Sequence, residues 1–271
     1  MSSPQAADLD LGDLLELDEL ASDLFVGRSP IKGRERVYGG QVVAQALAAA
    51  LRTLETDEHR AHSLHGYFLR PGDETRPIVF DVDRIRDGRS FTTRSVVARQ
   101  ASGAIFNLSA SFHRDEPDVD VAPPVPDLDV PAPEACERPD WNEFENISDI
   151  RMVPTTQTGR ARAWIRTVRT AILPDAAWVH TCALAYGSDH IPMDAIFAGH
   201  PGGATWDQFM SASLDHAVWF HRPTRADQWL LYDVRLQSLQ GSRGVAHGTV
   251  HTSDGVLVAT LAQEGLVRLR R

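Results

Sequence analysis

Apolar residues fall at Val37, Val42, Val43, Ala46, Leu47, Ala50, Leu51 and Leu54, a spacing that predicts one helix over residues 37–54. Alanine and glycine crowd this helix, so it should be buried, lying against a sheet or wrapped by one. Strand-like runs follow at 63–69, 77–84, 90–99 and 103–113, with β-branched Thr92, Thr93, Val96 and Val97 in the third. Gln100-Ala101-Ser102-Gly103 reads as the hairpin turn between the last two. A short strand is expected at 23–28, and residues 8–21, where leucine alternates with acid around Gly12, read as an acidic surface helix. One helix followed by an antiparallel meander is an α+β unit.

The pattern then lapses. Seven prolines, from Pro117 to Pro139, lie among acidic residues and predict an extended linker. Beyond it come strands at 145–153 and 162–168, a helix at about 175–186 begun by Pro174 and Asp175, and a second meander at 214–220, 228–237, 243–252 and 255–268. Ser253-Asp254-Gly255 forms its last hairpin turn. The two meanders are copies. Phe68, Arg70 and Pro71 recur as Phe220, Arg222 and Pro223, 152 positions on, and Asp81-Val82 recurs as Asp233-Val234. Ser90, Gly103, Ile105 and Ala110 fall on Ser242, Gly255, Leu257 and Ala262 without any insertion. The register implies two similar units packed as a homodimer would pack, over 1–116 and 141–271, joined by a linker over 117–140.

Bulk composition narrows the classes. The 271 residues suit two domains, and 42% hydrophobic with 24% charged residues describes a globular chain. A net charge of -10 argues against general nucleic-acid binding, which needs a basic footprint. No apolar run reaches the length of a membrane span, and Met1-Ser2-Ser3-Pro4 lacks the order of a secretory signal, so no membrane association and a cytoplasmic location are expected. Cys136 and Cys182 are too few and too differently placed for a disulfide framework or a thiolate metal site. Leu269-Arg270-Arg271 is not a peroxisomal address.

Several familiar chemistries are missing: there is no Gly-x-Ser-x-Gly elbow, no phosphate loop and no dinucleotide-binding glycine fingerprint. His62 with His65, and His216 with His221, read as packing and hydrogen-bonding residues on strands rather than metal ligands. The copies differ in a more telling way. Tyr38-Gly39-Gly40-Gln41 resembles Tyr186-Gly187-Ser188-Asp189, so a carboxylate at Asp189 stands where the first half has Gln41. Gln263 corresponds to Ser111, and Ser213 to Ala61. Taken singly, each of the three has an ordinary structural reading: Asp189 as a helix cap, Ser213 as a strand-entry hydroxyl, Gln263 as an edge residue facing water.

Longer motifs carry a resemblance. Val37-Tyr38-Gly39-Gly40-Gln41-Val42-Val43-Ala44-Gln45-Ala46 and His62-Ser63-Leu64-His65-Gly66-Tyr67-Phe68-Leu69-Arg70-Pro71-Gly72 resemble the amino-terminal half of the acyl-CoA thioesterase II, TesB-like family. Leu214-Asp215-His216, Trp219-Phe220-His221-Arg222-Pro223, Asp254-Gly255-Val256-Leu257-Val258-Ala259 and Gln263-Glu264-Gly265 resemble its carboxy-terminal half. The resemblance implies a double hotdog, an acyl-CoA substrate of medium to long chain, no cofactor, and a homo-oligomer such as a tetramer. It also implies a catalytic water held by an aspartate, a serine or threonine, and a glutamine, which fall on Asp189, Ser213 and Gln263. The hydroxyl is commonly threonine's in bacterial relatives. Two other readings stay open: a non-catalytic acyl-CoA-binding hotdog, and a hotdog hydratase or dehydratase, which would want a histidine where Asp194 follows Asp189 by five residues. Arg70, Arg89, Arg94, Arg222 and Arg243 are candidate cations for coenzyme A phosphates by number only, with an ordinary reading as solvated arginines.

Overall fold

The computed structural model describes residues 9–33, 36–122, 130–142, 145–168, 176–201 and 206–270. In the first half, α1 (Leu11–Leu15) and strands β1 (Asp18–Ala21) and β2 (Leu24–Gly27) precede helix α2 (Gly39–Arg52). Strands β3 (His59–Phe68), β4 (Ile78–Asp87), β5 (Phe91–Gln100) and β6 (Gly103–Arg114) follow it. The second half holds β7 (Ser148–Met152), β8 (Arg160–Thr167), α3 (Ala177–Gly187), α4 (Pro192–Ala198), β9 (Phe209–Ser213), β10 (Asp215–Phe220), β11 (Leu230–Gln240), β12 (Arg243–Thr252) and β13 (Leu257–Leu269).

All these strands join one antiparallel sheet, in the order β1-β2-β4-β5-β6-β3-β10-β13-β12-β11-β8-β7, with β9 paired to β13. A large antiparallel sheet with few helices is the α+β class expected. The order reads as one strand sequence followed by its mirror image, and the halves meet along β3 and β10. There His65 lies opposite Ala217, its own counterpart in the repeat. Equivalent strands crossing antiparallel at equivalent residues define a local twofold, which is how an ancestral dimer would have joined its sheets.

Helix α2 is buried along almost its whole length, from Gly40 to Ala50, as its small side chains predict. Arg94 anchors its far end: fully buried, it donates from Nε to Thr53 Oγ1 at 2.7 Å and from Nη2 to Asp87 Oδ1 at 2.5 Å. Shorter α4 occupies the corresponding place under the second half. Gly244 and Gly265 let it press against the sheet, since a Cβ at either would lie 2.3 Å or less from Ile196 or Met193.

One expectation is corrected, and two elements are added. The expected surface helix at 8–21 is not found: among its described residues only Leu11–Leu15 is helical, held by a reciprocal Asp10–Asp13 capping box, and β1 follows. Leu11, Leu14 and Leu15 share one face and are buried, so the leucines outweigh the acids. The helix expected at 175–186 is α3, from Ala177 to Gly187, while α4 and β9 were not anticipated. Pro174 and Asp175, and the middle of the linker, lie outside the described residues. No helix among the described residues is long and apolar enough to cross a membrane.

Candidate active site

Between α3 and α4 the chain bends at Ser188 and Asp189. Asp189 does not cap α4, whose N-cap is Ile191 without a side-chain bond; it accepts instead from the Gly40 N–H in the first turn of α2. The bend is pressed against the start of α2, and Tyr38 Oη donates to the Tyr186 carbonyl at 3.0 Å. Gly39 and Gly40 make this approach possible: a Cβ on Gly39 would lie 2.6 Å from Asp189 Oδ2, and one on Gly40 2.3 Å from Tyr186 O. The segments that resemble each other in sequence are therefore neighbours in space.

Asp189 is buried, and its Oδ1 has no hydrogen-bond partner. Burial raises its carboxyl from 3.8 to about 7, against the pull of Gln263, the Gly40 N–H, the Arg36 charge and Ser213. A carboxyl poised near neutrality can exchange a proton with water at ordinary pH.

Gln263 is fully buried on an inward-facing position of β13, so it is not an edge residue facing water. Both ends of its amide are engaged. Nε2 donates to Ser213 Oγ at 2.8 Å, and Oε1 lies 2.6 Å from His216 Nδ1. Ser213 ends β9, beside β13, where it sits opposite Gly265. The carbonyl oxygen of Gln263 accepts from His216 Nδ1–H, and His216 Nε2 lies 2.7 Å from Ser188 Oγ, whose single hydroxyl proton is shared with the Ala185 carbonyl at 2.8 Å. His216 is buried and its pKa is lowered to about 4, so the ring is neutral, as this pattern requires. A chain of four side chains thus runs from Ser188 through His216 and Gln263 to Ser213, and it returns to the residue next to Asp189.

His216, a packing and hydrogen-bonding histidine by its sequence, is in the structure part of the site. The signal was available: under the displacement of 152, His216 falls on Leu64, the same gain of a polar group that distinguishes Gln263 from Ser111. In the first half the equivalent residues serve the structure. Gln41 Nε2 donates to Ser29 Oγ at 2.8 Å and to Arg28 O at 3.1 Å, while Ser111 Oγ pairs with His62 Nε2 at 2.8 Å.

Asp189 and Ser213 open on a cavity of about 670 Å³ lined by both halves. Val37, Val42, Phe68, Ile105 and Phe106 make much of its wall apolar, and Arg36 and Arg70 contribute cations. Asp194, in the first turn of α4, is a second carboxyl on the wall, raised by burial to about 7. Among the described residues no group of three or more His, Cys, Asp or Glu is placed to hold a metal ion.

The chain matches the description "Acyl-CoA thioesterase N-terminal domain" over residues 28–113 and "Acyl-CoA thioesterase C-terminal domain" over 107–267. It belongs to the acyl-CoA thioesterase family. Acyl-coenzyme A thioesterase 8 of Homo sapiens is 36% identical over 318 aligned positions, covering 100% of this chain and 98% of the human protein. Among solved structures, the acyl-CoA thioesterase II TesB2 from Mycobacterium marinum superposes with a TM-score of 0.83 at 37% identity, covering 96% of this chain and 98% of that one. A protein with a hot dog fold from Alicyclobacillus acidocaldarius superposes at 0.77 with 20% identity, covering 96% of this chain and 98% of its own. That last likeness speaks for the fold alone: this thioesterase family member has a hotdog fold.

Proposed function

We propose that this acyl-CoA thioesterase hydrolyses medium- to long-chain acyl-CoA to a free fatty acid and coenzyme A at one catalytic centre per chain, with Asp189, Ser213 and Gln263 directing the attacking water. The observation that carries this reading is the Asp189 carboxyl: buried, raised to about 7, with one oxygen unpaired, on the wall of a largely apolar cavity. Water held against the Asp189 carboxylate would lose its proton to it as it attacks the thioester carbonyl carbon. Ser213 and Gln263 would fix its orientation, an entropic contribution that general effective-molarity arguments put at several kcal/mol. The carbonyl oxygen gains negative charge. An N–H at the start of α2, where Gly39 lines the cavity and the Gly40 N–H is already held by Asp189, supplies the donor we assign to it. Collapse of the tetrahedral intermediate expels the coenzyme A thiolate, and the proton held by Asp189 returns to solvent or to the thiolate. No covalent acyl-enzyme is needed.

His216 we assign as a positioning residue, because it holds the Gln263 carbonyl and so aims the Gln263 N–H at Ser213. The architecture is read as a double hotdog, with units over 1–116 and 141–271 and a linker over 117–140. The mirrored strand order and the His65–Ala217 crossing support that division. A homo-oligomer in the cytoplasm completes the reading. Release of thiol from decanoyl-CoA, followed with a thiol reagent for the parent and for Asp189→Asn, tests the assignment. Turnover in the parent and near-complete loss in a folded variant are expected; equal rates would remove Asp189 from the mechanism.

A further inference from the structure

The two Phe-x-Arg-Pro turns of the repeat are built alike. The N–H groups of Leu69 and Arg70 both donate to the Ile105 carbonyl, at 2.8 and 3.3 Å, and those of His221 and Arg222 both donate to Val258, at 2.8 and 3.4 Å. Each arginine then turns one N–H back onto the neighbouring strand: Arg70 Nη1 donates to Ala104 O at 2.8 Å, and Arg222 Nη1 to Leu257 O at 2.6 Å. In both halves this leaves the outer edge of the guanidinium, Nε with Nη2, facing away from the turn.

That edge is occupied in only one half. Arg222 grips Asp120, which follows β6, through Nε to Oδ2 at 3.1 Å and through Nη2 to Oδ1. Arg70 has no ion pair among the described residues, and it lines the cavity that holds Asp189. The fork of Arg222 shows what the turn accepts: an oxyanion bound by two parallel N–H donors, a geometry that suits phosphate as well as carboxylate.

We propose that Arg70, with Arg36 beside it on the cavity wall, is the phosphate-binding subsite for coenzyme A, and that Asp120 closes the equivalent position at Arg222. This rests on the acyl-CoA reading above. Arg36 lines the same cavity, has no ion pair among the described residues, and its charge reaches Asp189. Both arginines are exposed whereas Asp189 is buried, as needed for a ligand whose phosphates stand a pantetheine arm away from its thioester. The total charge of -10 repels such a ligand at long range, so its attraction must be local. The other available arginines are engaged or elsewhere: Arg94 is buried under the sheet, Arg243 pairs with Glu264 at 2.9 Å, and Arg89 lies in the β4–β5 turn away from the cavity.

The test compares decanoyl-CoA with S-decanoyl-N-acetylcysteamine, a thioester without phosphates, on the full chain. Arg70→Gln should raise KM for decanoyl-CoA on the order of tenfold with kcat near the parent's, and leave KM for the truncated thioester unchanged. It should also flatten the rise of KM with salt. Arg222→Gln should change neither KM. Equal losses on both thioesters would give Arg70 a structural role in the turn, and no change on either would remove it; both outcomes overturn the proposal. Calorimetric titration of coenzyme A and of pantetheine into the parent and Arg70→Gln reads the subsite without turnover. A parent that binds coenzyme A, loses about tenfold of that affinity on Arg70→Gln and keeps pantetheine supports the subsite even if acyl-CoA hydrolysis fails. Unaltered binding of coenzyme A sinks it.

Discussion

His216 Nδ1 lies 2.6 Å from Gln263 Oε1, with both side chains buried. Gln263 can therefore present its amide nitrogen to Ser213 only while His216 holds the opposite end. Replacing His216 by leucine, the residue at the equivalent place in the first half, unpairs Gln263 Oε1, while the Ser188 hydroxyl keeps its bond to the Ala185 carbonyl. Stability should fall by about 1–3 kcal/mol. In steady-state assays kcat should drop roughly tenfold or more while KM moves little, because a misaligned water is a transition-state loss. His216→Asn, which can restore one donor to Gln263, should recover part of kcat; a leucine variant with parental kcat would deny His216 its positioning role.

Asp189→Asn should cost about 10²- to 10⁴-fold in kcat, the range of a lost general base. The same substitution should stabilise the protein, and increasingly so as pH rises. A carboxyl raised from 3.8 to about 7 on folding keeps its proton in the native state between those values, so its contribution falls across that window as pH rises. Asparagine carries no charge to penalise. Melts at pH 5 and pH 8 should show a larger gain for the variant at pH 8, on the order of a few kcal/mol at most. His216, neutral in both proteins, cancels from the comparison.

The same carboxyl sets the pH dependence of turnover. Rates should rise from acid toward alkaline pH with a midpoint near 7, since only the ionised Asp189 accepts a proton. A pH series of kcat/KM on decanoyl-CoA measures this for the free enzyme. A flat profile between pH 5 and pH 8 would leave Asp189 without the role of base.

Ser213 Oγ accepts from Gln263 Nε2 at 2.8 Å, and its own proton remains for another partner. Threonine offers the same hydroxyl, so Ser213→Thr should keep the reaction. Ser213→Ala should lower kcat about tenfold without a matching loss of affinity, because the hydroxyl acts on the water rather than on bound acyl-CoA. Kinetics at saturating decanoyl-CoA, with melts to check folding, distinguish the two.

In the first half the corresponding substitutions should affect stability alone. Gln41→Ala removes donors to Ser29 and Arg28, and Ser111→Ala removes the partner of His62, so the double variant should melt lower. Its kcat should match the parent's. Turnover abolished by this pair, and retained in Asp189→Asn, would move the centre to the other half.

The sequence by itself determined the periodicities, the repeat and the residues that break it. Helix α2 and its four following strands lie where their spacing indicates, because one buried face imposes its period on a chain. The displacement of 152 marked Gln263 and Ser213 as polar gains, and it would have marked His216. Local pattern could not say what those groups touch. The pairs that make the site are 28, 47 and 50 residues apart, so their meeting depends on strand register and not on any window of sequence. Residues 8–21 went astray for a related reason: a short amphipathic stretch is classed by its company, and here α2 and α3 offered its leucines a buried face. Arg70 and Arg222 are equivalent in sequence and nearly so in backbone bonding; only the path of the chain after β6, which brings Asp120 to one of them, makes the two different.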